Sequence, residues 1–205
     1  MSRLSGLYAI TDGHLSNDGT LIQAVSEAIA GGARIIQYRD KGDDQARRLN
    51  EAQQLLQLCR QNDTTLIIND DVGLAAEIGA DGVHLGRDDD NIESARQRLP
   101  KGIIGVSCYN DWQRAQAATQ AGADYIAFGA FFPSTTKPDA PQAEPGLLKC
   151  VKQELNIAVV AIGGITAENG TTLIGAGADM LAVVHGVFGQ ADIRQAARQY
   201  AQLFN

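Results

Sequence analysis

The segment Gln37-Tyr38-Arg39-Asp40-Lys41 sets an amide and two cations at alternate positions. Side chains two apart on an extended backbone share a face, so Gln37, Arg39 and Lys41 can converge on one anionic ligand. Arg39 or Lys41 alone would read as a solvated turn; Gln37, still inside the apolar run IIQY, points instead to a site. A second polar group follows in Asn69-Asp70-Asp71, and a third in His84-Leu85-Gly86-Arg87-Asp88-Asp89. Two carboxylates with room for water hold Mg2+ well when substrate phosphates complete the octahedron. Asp70 and Asp89 are the expected pair. Asp71 can equally cap a helix, and Asp88 to Asp90 can equally be a solvated acidic loop.

Ser107 ends the run GIIGVS and is either a site hydroxyl or a turn serine. The stretch over residues 131–145 contains Ser134, Thr135, Thr136, Lys137 and four prolines. Connections of this kind usually take ~2–6 residues, so its length marks a functional loop. Hydroxyls beside a lysine suit phosphate oxygens, and proline lowers the entropy lost on ordering such a lid. Gly163-Gly164-Ile165-Thr166 precedes a helical pattern, and Val184-His185-Gly186 follows the last apolar run. Bare backbone N–H groups at Gly163 and Gly164, with a helix N-terminus, suit a second phosphate.

What must position these residues is visible as a repeat. Gly-Ala-Asp/Arg followed by an apolar run occurs at Gly32-Ala33-Arg34, Gly79-Ala80-Asp81, Gly122-Ala123-Asp124 and Gly177-Ala178-Asp179. The spacing is too long for one strand–helix unit and right for two. Apolar runs at residues 7–10, 65–68, 102–106 and 157–162 lie between the copies, giving eight strand candidates. All are short and nearly continuously apolar, as parallel strands buried on both faces should be. Helical spacing fills residues 20–31, 43–61, 71–79, 91–98, 111–121, 145–154, 167–175 and 190–203, with Asp111 and Thr166 as N-caps. This alternation predicts a single α/β domain over residues 1–205, a (β/α)8 TIM barrel whose site lies at the C-terminal strand ends. An open doubly wound sheet would carry G-x-G-x-x-G after its first strand; GHLSNDG stands there instead.

With 205 residues, 44% hydrophobic and 20% charged, the composition is that of a globular protein. A formal charge of −7 argues against nucleic-acid binding. No apolar run reaches the ~18 residues a membrane span needs. The N-terminus reads as mature cytoplasmic chain, and an assembly of identical copies is left open. Cys59, Cys108 and Cys150 lie in no metal-ligand spacing and are expected to be small buried hydrophobes. His14 is expected in a loop, His84 at a strand end in a structural role, and Trp112 in packing.

Taken together and in order, LYAITD, Gln37 to Lys41, Ile68-Asn69-Asp70, Asp81 to Gly86, Pro133 to Lys137 and Ile162 to Ile165 resemble the thiamine-phosphate synthase family along essentially the whole chain. The resemblance implies a transferase that joins hydroxymethylpyrimidine diphosphate to hydroxyethylthiazole phosphate, giving thiamine phosphate and pyrophosphate through a dissociative, Mg2+-assisted substitution. It implies that Gln37 binds the pyrimidine and that Arg39, Lys41, Asn69 and Lys137 hold the diphosphate. Asp70 and Asp89 would bind Mg2+, and Ser107 would contact the pyrimidine amino group or the pyrophosphate. Arg39, Lys41, Ser107 and Lys137 are thereby the catalytic set. Ser134, Thr136, Gly164, Val184 and His185 would surround the thiazole phosphate. Ser134 replaces a common threonine and keeps its hydroxyl. His185 replaces a typical serine, so its backbone N–H or a cationic contact would have to serve. The competing expectations are a thiazole tautomerase-like isomerase and a non-catalytic phosphate-binding barrel. Neither needs the diphosphate clamp or the metal carboxylates.

Overall fold

The structure is a computed structural model and describes residues 4–13, 19–87, 89, 91–133 and 142–205. The apolar runs form eight parallel strands: β1 (Gly6–Ile10), β2 (Ala33–Tyr38), β3 (Thr65–Asn69), β4 (Gly82–Leu85), β5 (Ile103–Tyr109), β6 (Tyr125–Phe128), β7 (Ala158–Ile162) and β8 (Met180–Val183). They pair in chain order, and β8 returns to β1, closing the barrel. The chain thus has the (β/α)8 TIM-barrel fold that its periodicity predicts.

Helices α1 (Leu21–Ala30), α2 (Gln45–Gln61), α3 (Val72–Ile78), α4 (Ile92–Arg98), α5 (Trp112–Gln120), α6 (Pro145–Glu154) and α7 (Ala167–Gly175) alternate with the strands. Asp111 and Thr166 cap α5 and α7 as expected, Thr166 in a reciprocal capping box with Asn169. Asp71 caps α3 through the Leu74 N–H, which settles its role as structural. Beyond β8 the expected helix over residues 190–203 is present, and a short additional helix precedes it. A short α8 (His185–Phe188) stops at Gly189, and Asp192 caps a new start at α9 (Ile193–Ala201).

Hydrophobic burial falls into two shells. Inside the barrel lie Tyr8, Ile10, Ile35, Ile67, Tyr125, Ala127, Val160, Met180 and Ala182. The larger shell packs the outer strand faces against the helices. Strand alternation sends Ile35 and Gln37 inward, and Ile36 and Tyr38 outward to the helices. Cys59 and Cys108 are buried, and burial pushes both thiols up to about 12. Cys150 departs from the expectation: it is exposed, on the outer face of α6. Among the described residues, no helix is long and apolar enough to cross a membrane.

The repeated aspartates have a mechanical role at the N-terminal end of the barrel. Asp81 accepts from the Leu66 N–H, Asp124 from the Ile104 N–H and Asp179 from the Val159 N–H, each at 2.8 Å. Each carboxylate stitches the strand it precedes to the strand before it, so β3–β4, β5–β6 and β7–β8 are tied as pairs. Asp124 and Asp179 also pair with Arg96 and Lys152. Asp124→Ala should therefore leave the Ile104 N–H without its acceptor and cost about 1–3 kcal/mol of stability in urea unfolding. No change in the midpoint would remove the stitch from the account.

Candidate active site

Gln37, at the inner face of β2, donates through Nε2 to the Tyr8 hydroxyl at 2.7 Å. Tyr8 and Tyr125 join hydroxyl to hydroxyl at 2.8 Å. The Tyr125 hydroxyl meets His84 Nδ1 at 2.9 Å, and His84 Nε2 meets Ser107 Oγ at 2.8 Å. A continuous hydrogen-bonded chain therefore crosses the barrel beneath the mouth, from one expected substrate contact, Gln37, to another, Ser107. Burial raises the proton affinity of both tyrosines, keeping them neutral hydroxyls. A glycine makes room for this arrangement. A Cβ on Gly105 would stand 1.9 Å from Tyr125 Cζ.

The loop after β2 carries Arg39 and Lys41 and is braced from both sides. The Arg39 N–H donates to Thr11 Oγ1 at 2.9 Å, and the Thr11 N–H donates to the Gln37 carbonyl. Beneath, Asp40 is buried and accepts from the Gly42 N–H and from Arg47, which also pairs with Glu51. Tyr38 donates to Glu51 at 2.7 Å. Asp40, in the middle of the motif, is thus a latch for the loop. Lys41, just beyond it, reaches Asp70 at the end of β3.

At the end of β3, Asp70 takes a left-handed backbone with φ +63°, which Asp tolerates better than most residues. Its N–H donates to the His84 carbonyl, which ties the turn to β4. This turn brings Asp70 into an ion pair with Lys41 and close enough to Asp89 for the two carboxylates to act on each other. Burial first, and the Asp70 carboxylate second, raise the proton affinity of Asp89. Asp89 Oδ2 also accepts from the Gly86 N–H. The two aspartates picked from separate loops therefore meet. Lys41 is 63% exposed, so its pairing with Asp70 is cheap to exchange for a ligand phosphate. Among the described residues no group of three or more His, Cys, Asp or Glu could hold a metal ion. Any cation here would take two carboxylates and draw its remaining oxygens from water and ligand.

Across the mouth, Gly163 and Gly164 have φ +99° and +62°, conformations glycine adopts without a steric cost. A Cβ on Gly164 would lie 2.3 Å from the Pro133 carbonyl oxygen, so the loop after β6 presses directly on this turn. Asn169, in the first turn of α7, donates to the Gly164 carbonyl. Val184 precedes α8, and the His185 ring packs back on Gly189, toward the C-terminal end of that helix. That position does not favour the cationic phosphate contact expected for the imidazole. Ser134, Thr136 and Lys137 lie outside the described residues, as does His14.

Comparison with known proteins gives the geometry a family. The model described as thiamine monophosphate synthase matches residues 7–187. The chain belongs to the thiamine monophosphate synthase family. A thiamine-phosphate synthase of Nitrosococcus oceani is 55% identical over 99% of this chain and 94% of its own length. One of Methylobacillus flagellatus is 52% identical over 98% and 96%. The solved thiamine phosphate pyrophosphorylase of Pyrococcus furiosus superposes with a TM-score of 0.89 at 35% identity, covering 98% of this chain and 96% of that one. A 3-hexulose-6-phosphate synthase, 16% identical with a TM-score of 0.67, shares the fold alone. Thiamine-phosphate synthase activity, a transferase reaction of thiamine biosynthesis, is accordingly the function of this chain.

Within this family site, sequence reasoning overlooked Tyr8, Thr11, Tyr125, the bracing Arg47, and Arg114, which donates to the Ser107 and Gly86 carbonyls. His84, taken only as a structural strand-end residue, contacts Ser107 directly. Strand parity held the signal. Tyr8 stands two before Ile10 and Tyr125 two before Ala127 on the inward face, and His84 alternates with Val83 and Leu85, which pack outward against the helices.

Proposed function

We propose that this barrel, as one catalytic domain over residues 1–205 of a cytoplasmic enzyme, condenses hydroxymethylpyrimidine diphosphate with hydroxyethylthiazole phosphate at its C-terminal mouth. The approach of Asp70 to Asp89, beside Lys41 and tied through Gly86 and Arg114 to the strand end bearing Ser107, is the observation that carries this proposal. Two carboxylates that act on each other, one of them with raised proton affinity, suit a divalent cation, and Asp70 and Asp89 are the residues that would hold Mg2+. Bound there, Mg2+ would neutralise charge developing on a departing diphosphate.

Gln37 and Ser107, fixed at the two ends of the chain through Tyr8, Tyr125 and His84, orient the pyrimidine ring. Arg39, Lys41, Asn69 and Lys137 hold the diphosphate. The carbon–oxygen bond breaks with its electron pair leaving on pyrophosphate, and the aminopyrimidine ring stabilises the methylene cation. The thiazole nitrogen then donates its lone pair to that carbon. No base is required, which agrees with a mouth built from cations and carboxylates, and the Ser107–His84 hydrogen bond serves orientation. Ser134, Thr136, Gly164, Val184 and His185 receive the thiazole phosphate.

Incubation of the purified protein with both substrates and Mg2+ should give thiamine phosphate and pyrophosphate in equal amounts, and EDTA should stop the reaction. Undiminished product in EDTA, or none with Mg2+, contradicts the proposal. Lys137→Ala should slow carbon–oxygen cleavage in a rapid-quench experiment by more than it weakens thiazole phosphate binding. A pure loss of thiazole phosphate affinity would reassign Lys137 to the other ligand. His185→Ser should leave kcat/KM nearly unchanged, because the ring packs on Gly189. A loss beyond ~10² would give the imidazole a role in proton transfer.

A further inference from the structure

Arg114, in the first turn of α5, reaches into the mouth from outside the barrel. Its Nε donates to the Ser107 carbonyl at 2.7 Å and its Nη2 to the Gly86 carbonyl at 2.8 Å. These two carbonyls belong to different elements: Ser107 lies in β5, and Gly86 opens the loop after β4. The Gly86 N–H, on the same residue, holds Asp89 Oδ2. The base of the arginine is fixed as well, because its N–H donates to Asp111, the N-cap of α5. A second tie joins the same two segments. The Arg87 guanidinium lies over the Tyr109 ring, 4.7 Å from its centroid. Tyr109 has φ +58° and follows a register shift in the β5–β6 pairing that begins at Ser107. The β4–β5 ladder ends at Leu85–Val106, so beyond it the ties made by Arg114 and Arg87 fix where Ser107 and the Asp89 loop stand relative to each other.

We infer that Arg114 is a positioning residue that locks the Asp89 loop to the Ser107 strand end, setting divalent-cation affinity and pyrimidine diphosphate binding together. This rests on the roles proposed above for Asp89 and Ser107. A planar guanidinium can meet two carbonyls at once, whereas a lysine ammonium on a flexible stem holds only one in this geometry. Outer partners that fix metal-binding groups typically contribute ~10–100-fold in metal affinity.

The test uses the full chain, with Mn2+ and inorganic pyrophosphate as probes and electron paramagnetic resonance reporting free Mn2+. Arg114→Met should weaken Mn2+ binding in the presence of pyrophosphate by about 10–100-fold. It should raise KM for pyrimidine diphosphate and leave KM for thiazole phosphate within about twofold. Arg114→Lys should fall between parent and Met, and it carries the test if the Met variant does not fold. Mn2+ affinity within twofold of the parent, with only the melting temperature lowered, would reduce Arg114 to a structural tie and overturn the inference. Absence of Mn2+ binding to the parent protein itself would overturn the Asp70–Asp89 metal assignment first, a result separate from any difference between variants.

Discussion

Asp70→Ala should abolish Mg2+-dependent turnover, lowering kcat/KM by about 10³ or more, since metal charge stabilisation is worth several kcal/mol and each ~1.4 kcal/mol is a decade in rate. The structure gives Asp70 two partners, Lys41 and Asp89, that come from separate loops. Removing its carboxylate leaves Asp89 alone facing the diphosphate. The backbone at φ +63° complicates the alanine, which tolerates that region less well than Asp or Asn, by roughly 1–2 kcal/mol. Asp70→Asn separates the two effects, because it keeps the conformational tolerance and removes the charge. Both variants should lose activity to a similar degree, and only the alanine should lose stability. Full activity of either in EDTA would sink the metal assignment.

The second large effect is expected inside the barrel, at a residue with no side chain. Gly105→Ala places a methyl 1.9 Å from Tyr125 Cζ and 2.3 Å from its hydroxyl, and the Tyr125 ring is fully buried. Overpacking of this kind costs about 1–3 kcal/mol. The displaced hydroxyl also leaves both Tyr8 and His84, which interrupts the chain from Gln37 to Ser107. Stability and kcat/KM for the pyrimidine diphosphate should fall together, the latter by about 10²-fold, on the same free-energy scale as the overpacking. Tyr125→Phe retains the ring and removes only the hydroxyl. It should keep most of the stability and still lose activity, though less than Gly105→Ala. Wild-type kinetics for Tyr125→Phe would mean that the chain fills space and does not orient substrate.

The fold was open to reading because parallel strands buried on both faces leave unbroken apolar runs, and Gly-Ala-Asp/Arg marks every second unit. The aspartates in that repeat were visible, but their purpose was not. A carboxylate capping the N–H of the preceding strand requires the pairing β3–β4, β5–β6 and β7–β8 to be known. The charged part of the mouth was legible for a different reason. Arg39, Lys41, Asp70 and Asp89 stand just past strand ends, and Gln37 interrupts the apolar run of β2, so all are conspicuous against their apolar neighbours. Tyr8 and Tyr125 were hidden because an aromatic residue in a four- or five-residue strand looks like packing until its inward parity is fixed. Arg114 was hidden because its targets are main-chain carbonyls, which carry no residue-type signal. The exposed Cys150 shows the same limit in reverse: burial on a helix depends on which face the barrel covers.

The most direct test is diffraction at the manganese absorption edge from crystals grown with Mn2+ and pyrophosphate. The account predicts one anomalous peak held by the carboxylates of Asp70 and Asp89, with the pyrophosphate beside it and reaching Arg39 and Lys41. A peak that involves neither aspartate, or pyrophosphate bound at the Gly163-Gly164 turn instead, would contradict it.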